Sequence, residues 1–312
     1  MKLSFWLRVI LSIVLITFLI FKIDFHQIII LLQGMNPTIY VYFLIPFLLA
    51  IFLNSIKIQF LLIALKAKIN LSGLLKLKLT SRSFSLFFPG QLGELSLVPL
   101  LKMKEIPMGK SLATVTIDKM ISLLVLMTFA SYGFFIFFGK ATLWRVMFLF
   151  IGILLLLILL IAYSPFRRLI KKYILRKYST LFRGFHSYVL LIVQKRKRVI
   201  FLNLFITTLW LAITSLVIQI ILQHFLIDVN LLIIMSIQAV GALSAVIPIS
   251  ISGVGVRESI AVFLFSKLGV DPSIIVTMLL MFLCVSYLIS AMTIIVVSKE
   301  YNLVTLKKII EK

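Results

Sequence analysis

The sequence has few of the side chains from which most catalytic and metal sites are built. Of its 312 residues, one is a cysteine, Cys284, so an internal disulfide and a cysteine-based metal cage are excluded. His26, His186 and His224 are far apart and match no metal-ligand spacing. Only nine residues are acidic, and no nucleophile is spaced near a base. We therefore expect no metal, no cofactor and a transporter rather than an enzyme.

Polar sequence is also absent over long stretches. Hydrophobic residues make up 62% of the chain, well above the 45–50% or so of soluble proteins. The stretch LFIGILLLLILLIAY (149–163) suits lipid and not water. No small-residue cleavage site follows the apolar N-terminus, so we interpret that segment as a retained span rather than a signal peptide. The sequence thus predicts an all-α polytopic protein of the cell membrane.

The net charge of +23 does not point to nucleic acid, because of where the basic residues lie. Segment 164–198 lies between two apolar segments and holds eleven Lys or Arg residues and no Asp or Glu. Basic residues alternate there with aromatic and aliphatic ones, which is typical of a helix on a membrane surface. We expect a cytoplasmic loop that sets the topology and contacts anionic headgroups. A specific headgroup site in this loop is the alternative.

Six segments are long and apolar enough to cross a bilayer, which takes about 20 residues. They are 4–22, 38–58, 118–138, 143–163, 199–223 and 273–297. The positive-inside rule assigns the loop 164–198 and the tail 299–312 to the cytoplasm. Two further regions, 71–101 and 231–268, are interrupted by proline and glycine beside a glutamate. We predict that the first is a re-entrant helical hairpin from the cytoplasmic side and the second one from the outer side, with both chain termini cytoplasmic.

The order of these elements repeats along the chain. Residues 1–140 and 141–298 each contain span, span, hairpin and span. Since each unit makes three full crossings, the second would be upside down relative to the first, as in inverted-repeat transporters. We find no convincing residue-level identity between the halves, so this prediction rests on element order and on the positions of the broken helices. An ordinary eight-span protein with two proline kinks is the alternative.

The second interrupted region has the densest group of polar and helix-breaking residues. In IPISISGVGVRE (247–258), Pro248 ends one helix, and Gly253 and Gly255 permit the turn into the next. The free N–H groups of that helix, together with Arg257, suit a phosphate or carboxylate. Glu258 is expected to hold Arg257, to cap the helix or to carry a proton. The predicted binding residues here are Ser250, Ser252, Gly253, Gly255, Arg257 and Glu258.

The stretch FFPGQLGELS (87–96) repeats this design, with Pro89 as the breaker and Glu94 opening the next half-helix. Asp118 and Lys119 add an acid and a base at the predicted start of a span, where snorkelling to the interface is the alternative reading. An ionisable residue within a membrane segment is a functional candidate by default. The predicted binding residues in this half are Arg82, Gly90, Gln91, Gly93, Glu94, Asp118 and Lys119.

These motifs resemble those of the lysylphosphatidylglycerol synthase transmembrane-region family, whose members are also called flippase-like. The stretch 247–270 looks like the family's Pro-x-Ser and Gly-x-Gly-x-Arg-Glu signature, and FFPGQLGE matches its Pro-Gly-x-x-Gly-Glu motif. TIDKM (116–120) stands where members carry an acid–base pair. The arginine that often follows the first Gly-Glu is missing, because Leu95 to Val98 occupy those positions. The soluble transferase domain of the family's synthases does not follow before Lys312, so the resemblance does not imply aminoacyl transfer.

Together these features favour a translocator of an anionic lipid, such as an aminoacylated phospholipid or a polyprenyl-phosphate carrier. Arg257 and the half-helix N-termini would hold the phosphate, while Glu94, Glu258 and Asp118 would balance charge or couple to protons. Two alternatives stay open. One is a membrane transferase or partner subunit acting on phosphatidylglycerol or lipid-linked sugar, and the other is a scaffold for envelope-lipid biosynthetic enzymes.

Overall fold

The computed structural model describes residues 37–85, 92–162, 183–247, 250 and 253–300, with isolated positions at 17 and 30. Within these ranges every regular element is a helix. Several sequence predictions fall outside the described residues: the span 4–22, Pro89, Gly90, Gln91, Pro248, Ser252, most of the loop 164–198 and the end of the tail.

The described α-helices confirm an all-helical membrane protein. In chain order they are α1 (Pro37–Ala64), α2 (Leu71–Ser85), α3 (Leu97–Lys102), α4 (Met108–Phe138), α5 (Lys140–Ala162), α6 (Phe185–Lys195), α7 (Lys197–His224), α8 (Leu231–Ser244), α9 (Val256–Ser266) and α10 (Pro272–Glu300), with a 3-10 helix (Leu92–Ser96) directly before α3. Apolar stretches long enough to cross a membrane lie in α1, α4 with α5, α7 and α10. Helix α4 begins ten residues before the predicted span 118–138, so Asp118 lies inside a helix and not at its start.

Both interrupted regions are divided into shorter helices, as the prolines and glycines predict. The first consists of α2, the 3-10 helix and α3, and the second of α8 and α9. The two ends of the first region meet in one hydrophobic cluster that includes Ile58, Leu62, Leu74, Leu100, Leu101 and Ile106. The two ends of the second meet in another that includes Ile218, Leu222, Ile234, Leu264, Phe265 and Val270. The two ends of each interrupted segment therefore lie close together.

The basic residues of the described loops gather at one end of the bundle, which we call the basic end. It contains the loops 65–70 and 103–107 and the start of α7, and each of these has at least one lysine. Helix α6 packs there against the start of α4, where a Cβ on Gly109 would lie 2.2 Å from the carbonyl oxygen of Arg183. At the opposite end the Lys267 ammonium lies 4.3 Å from the ring centre of Phe138.

The loop that leads into each interrupted segment has the same structure, 160 positions apart. The side-chain amide of Gln59 donates a hydrogen bond to the backbone carbonyl ten residues later at 3.2 Å, and that of Gln219 does the same at 2.9 Å. Lys66 and Leu226 both adopt a left-handed conformation, with φ of 56° and 61°. The aligned segments also share identical residues, although the sequence analysis found no convincing identity between the halves. The identical pairs are Ser55 and Ser215, Ile58 and Ile218, Gln59 and Gln219, Leu62 and Leu222, Asn70 and Asn230, and Leu71 and Leu231.

The loop that leaves each segment also repeats, but 164 positions apart. The backbone N–H of Ile106 donates to the carbonyl five residues earlier at 3.2 Å, and that of Val270 does so at the same distance. In both loops the preceding residue has a left-handed φ, 61° at Glu105 and 80° at Gly269. The second segment is therefore four residues longer than the first.

The four additional residues lie at the turn of the second segment. Gly93 and Gly253 keep the offset of 160, and each packs so closely on the end of the preceding helix that a Cβ would lie less than 2.5 Å from it. Glu94 and Glu258 have the offset of 164. The insertion is thus 254–257, and Arg257 belongs to it without a counterpart in the first half.

Gly253→Ala should destabilise the protein far more than Gly269→Ala. Both glycines have a left-handed φ, 76° and 80°, so the conformational cost of about 1–2 kcal/mol is common to both. Only at Gly253 would the new Cβ meet another atom, the Cβ of Ala245 at 2.3 Å, which adds about 1–3 kcal/mol of overpacking. The measurement is the midpoint of thermal unfolding in detergent. Gly253→Ala combined with Ala245→Gly should recover part of the loss, and equal midpoints for the two single variants would refute this packing.

Candidate functional site

Glu258 ties the turn of the second interrupted segment to Arg257. Its Oε2 accepts a hydrogen bond from the backbone N–H of Gly255 at 2.8 Å. Its Oε1 accepts from Nε and Nη2 of Arg257 at 3.1 and 2.9 Å. The Glu258 carboxylate is buried, whereas the Arg257 side chain remains 48% exposed. Of the three roles expected for Glu258, the structure therefore contains two, holding Arg257 and capping α9.

Two of the backbone N–H groups at the start of α9 already donate hydrogen bonds within the protein. The N–H of Gly255 is bound by Glu258, and that of Arg257 donates to the carbonyl of Gly253 at 3.2 Å. Fewer backbone donors than expected thus face a ligand, and the Arg257 guanidinium is the stronger group for an anion. Ser250 is fully buried, and its hydroxyl has no hydrogen-bond partner among the described residues.

One cavity of about 190 Å³ contains a guanidinium group from each interrupted segment. Arg82 reaches it from α2, where its Nη2 donates to the hydroxyl of Ser286 on α10 at 3.2 Å. Arg257 reaches it from the start of α9. The two arginines also lie within electrostatic range of each other, and Arg82 lies within range of Glu94. The structure therefore brings charged groups of the two segments together.

Four further polar residues line this cavity that the sequence interpretation did not include: Trp210, Thr214, Gln238 and Ser286. The indole N–H of Trp210 is buried and has no acceptor among the described residues. The amide of Gln238 donates to the hydroxyl of Ser215 at 2.7 Å. No local motif marks them, because only the packing of α7, α8 and α10 brings them together.

A second polar group is buried between α1, α4 and α7. The Lys57 ammonium lies 3.0 Å from the Asp118 carboxylate and donates to the hydroxyls of Ser122 and Thr207 at 3.2 and 3.4 Å. The amide of Asn203 donates to the same carboxylate at 3.0 Å. Asp118 is therefore not a snorkelling residue, since its side chain is 4% exposed. Lys57, at the end of the predicted span 38–58, is equally buried.

Glu94 and Lys119 form an ion pair between the 3-10 helix and α4, with a third or more of each side chain exposed. Lys78, on α2, lies within electrostatic range of both Glu94 and Asp118. Most predicted residues of the first half thus gather on the side of the cavity nearer the basic end. Gly93 serves the packing of the turn against Ser85.

A family model for the lysylphosphatidylglycerol synthase transmembrane region matches residues 5–293. The chain belongs to this family. The match includes both interrupted segments and the cavity between them, in agreement with the resemblance drawn from the two motifs. Among curated proteins, none matches the chain in a sequence search. Membership in the lysylphosphatidylglycerol synthase transmembrane-region family relates the protein to lipid handling in the membrane.

Asp118→Asn should destabilise the protein strongly, because it leaves the Lys57 ammonium buried without its counter-ion. Breaking such a pair costs about 3–5 kcal/mol. Glu94→Gln is the matched control, since its exposed pair contributes about 0–1 kcal/mol. The measurement is the unfolding midpoint with the folded yield in detergent. Adding Lys57→Met to Asp118→Asn should restore most of the loss, and a loss no larger than that of Glu94→Gln would contradict the burial of this pair.

Proposed function

We propose that the protein moves an anionic lipid between the two leaflets of the cell membrane, with the headgroup phosphate bound between Arg82 and Arg257. The observation that carries this proposal is the shared cavity, into which each interrupted segment contributes one guanidinium group. Guanidinium groups bind phosphate through paired hydrogen bonds. Charged groups at membrane depth are costly and are retained for function.

In this proposal the two interrupted segments are re-entrant hairpins that enter from opposite sides. The close approach of the two ends of each segment supports this arrangement. The basic end would face the cytoplasm, as the positive-inside rule requires, and both chain termini would lie there. A broken helix inside a bilayer must be enclosed by protein or line a wet cavity, and the cavity between the segments meets that need.

The repeated loops at offsets of 160 and 164 support an inverted repeat. Helix α1 ends at the basic end whereas its counterpart α7 begins there, so the two units run in opposite directions. Two similar units of opposite direction permit two similar conformations, each open to one side. Rocking one unit against the other would expose the headgroup to each leaflet in turn. The lipid tails would stay outside, along the exposed apolar side chains of the long helices.

The acidic residues would compensate the arginines and lysines when no lipid is bound. Glu258 already accepts two hydrogen bonds from Arg257, so a phosphate would share that guanidinium through its remaining N–H groups. Glu94 would neutralise Lys119 in the same way, at the cytoplasmic side of the cavity. The buried pair of Lys57 and Asp118 would hold the first and second units together through Asn203, which belongs to α7.

A second candidate follows from the family description, which names a synthase. In that case the protein would present a lipid to a transferase partner, or act on phosphatidylglycerol or lipid-linked sugar with a donor that the partner supplies. Product formation by the purified protein with an activated donor, and without a partner, would favour this candidate over transport.

Arg82→Gln and Arg257→Gln should each lower lipid translocation about tenfold or more, because each removes a charge-assisted contact of about 1.5–3 kcal/mol. The assay follows fluorescent phosphatidylglycerol in vesicles of phosphatidylcholine and phosphatidylglycerol that contain the purified protein. A membrane-impermeant reductant then reports how fast the label moves between leaflets.

Lys140→Gln is the control, because Lys140 is exposed and belongs to the opposite end of the bundle. It removes the same charge without touching the cavity, so its rate should equal that of the unchanged protein. Equal rates for all three variants would refute the proposal, as would wild-type rates no faster than those of protein-free vesicles.

A further inference from the structure

The charged side chains at the cavity leave one positive charge unbalanced. Of the described residues that line it, Arg82 and Arg257 are charged, and both are cations. Glu258 balances one of them, since its Oε1 accepts hydrogen bonds from Arg257 at 3.1 and 2.9 Å. Its Oε2 is bound by the backbone N–H of Gly255, and its side chain is 4% exposed. This carboxylate is therefore already occupied, and two cations with one anion leave a single positive charge for a ligand to match.

The other acidic residues whose side chains the structure describes lie outside the cavity lining. Glu94 and Asp118 each contact a lysine. Glu105, Asp228 and Asp271 lie in loops between helices. Within the described part of the chain, no carboxylate lines the cavity. A ligand that brings an ammonium group into the cavity would therefore find no carboxylate to neutralise it.

The remaining polar residues of the lining are uncharged. They are Trp210, Thr214, Gln238 and Ser286. Hydroxyl and amide groups both donate and accept hydrogen bonds, so Thr214, Gln238 and Ser286 suit the hydroxyl groups of a ligand. They offer an ammonium group no charge to pair with. Aromatic rings attract ammonium groups, but the two guanidinium groups repel them, and repulsion between full charges is the larger effect.

This charge balance indicates a class of headgroup. A phosphodiester carries one negative charge, and a substituent with hydroxyl groups leaves that charge unchanged. Such a headgroup matches the single positive charge of the cavity. A primary amine would make the headgroup neutral, and a lysyl ester would make it cationic. Both would leave positive charge uncompensated among largely apolar side chains, which is unfavourable.

We infer that the cavity selects a lipid with a monoanionic phosphodiester headgroup whose substituent carries hydroxyl groups and no amine, the chemistry of phosphatidylglycerol. Arg82 and Arg257 bind the phosphate, and Thr214, Gln238 and Ser286 contact the substituent. The inference rests on the proposed function for its lipid, and it names the substrate class of the same site. Aminoacylated lipids are thereby excluded as the preferred ligand.

The test is equilibrium binding to the full chain in a nonionic detergent at neutral pH, which does not depend on transport. The probes share one phosphodiester: short-chain phosphatidylglycerol, phosphatidylethanolamine and lysylphosphatidylglycerol, and glycerophosphoglycerol, which has no acyl chains. Phosphatidylglycerol should bind about tenfold or more tightly than lysylphosphatidylglycerol, because the lysine adds positive charge to a cationic cavity. Phosphatidylethanolamine should lie between them, and glycerophosphoglycerol should bind more weakly than phosphatidylglycerol because it buries no acyl chain.

Gln238→Glu should reverse the preference between the two glycerol lipids. Gln238 lines the cavity, and its amide donates to the hydroxyls of Ser215 and Thr214 at 2.7 and 3.5 Å. Glutamate has nearly the same shape, and the Ser215 hydroxyl can turn its proton toward the new carboxylate. The added negative charge should weaken phosphatidylglycerol binding and strengthen lysylphosphatidylglycerol binding, each about tenfold. Thr214→Asp adds a carboxylate from α7 and should shift both affinities in the same directions, so the test does not depend on the folding of one variant.

Two further variants separate the charge in the cavity from other effects. Gln223→Glu is the matched control, because Gln223 is exposed near the end of α7 and does not line the cavity. It adds the same charge and should keep the ratio of the two affinities at that of the unchanged protein. Gln238→Met removes the amide without adding a charge, so it should keep phosphatidylglycerol as the tighter ligand.

Each outcome decides one of the two ideas. Equal affinities of the unchanged protein for phosphatidylglycerol and lysylphosphatidylglycerol would overturn the inference. Equal affinity ratios in Gln238→Glu, Thr214→Asp and Gln223→Glu, or a reversed order in Gln238→Met, would overturn it as well. Glycerophosphoglycerol binding as tightly as phosphatidylglycerol would overturn the lipid assignment. Selective binding by a protein that moves no lipid in vesicles would support this inference while refuting the proposed transport, and transport of both lipids at equal rates would do the reverse.

Discussion

A polar or charged group inside hydrocarbon needs a partner within the protein, and the arrangement of the helices follows from this need. The two interrupted segments expose backbone groups where α2 and α8 end, so they pack among longer helices and not at the surface. Glu258 satisfies the backbone N–H of Gly255 and the guanidinium of Arg257 at once. The same need explains the enclosed contacts among Lys57, Asp118 and Asn203.

Comparison of the two halves distinguishes the residues that both interrupted segments share from those that occur in one segment only. The glutamine that binds the following loop, the asparagine before the next helix and the left-handed residue between them occur in both halves. These residues form the loop that leads into each interrupted segment. The glutamate at the turn recurs, whereas Lys57 and Lys119 do not, since Val217 and Leu283 occupy the corresponding positions.

Much of this architecture could be predicted from the sequence. Prolines and glycines marked both interruptions, and the apolar runs indicated the long helices. The residue-level repeat was missed, because its identical residues are few and scattered among apolar positions of 55–71 and 215–231. Trp210 and Ser286 were missed because only tertiary packing brings them to the cavity that the two arginines also line. Asp118 was placed at a helix start because the apolar run, and not the helix, begins there.

The inserted residues also give the turns of the two halves different charged contacts. In the first half the carboxylate of Glu94 follows Gly93 directly and pairs with Lys119 from another helix. In the second half the insertion brings in Arg257, so the carboxylate of Glu258 can pair with its own neighbour. The position in α10 that corresponds to Lys119 is Leu283, which is apolar and needs no counter-ion. The guanidinium of Arg257 stays half exposed beside the cavity, where an anion that arrives can add its own hydrogen bonds without first breaking those to Glu258.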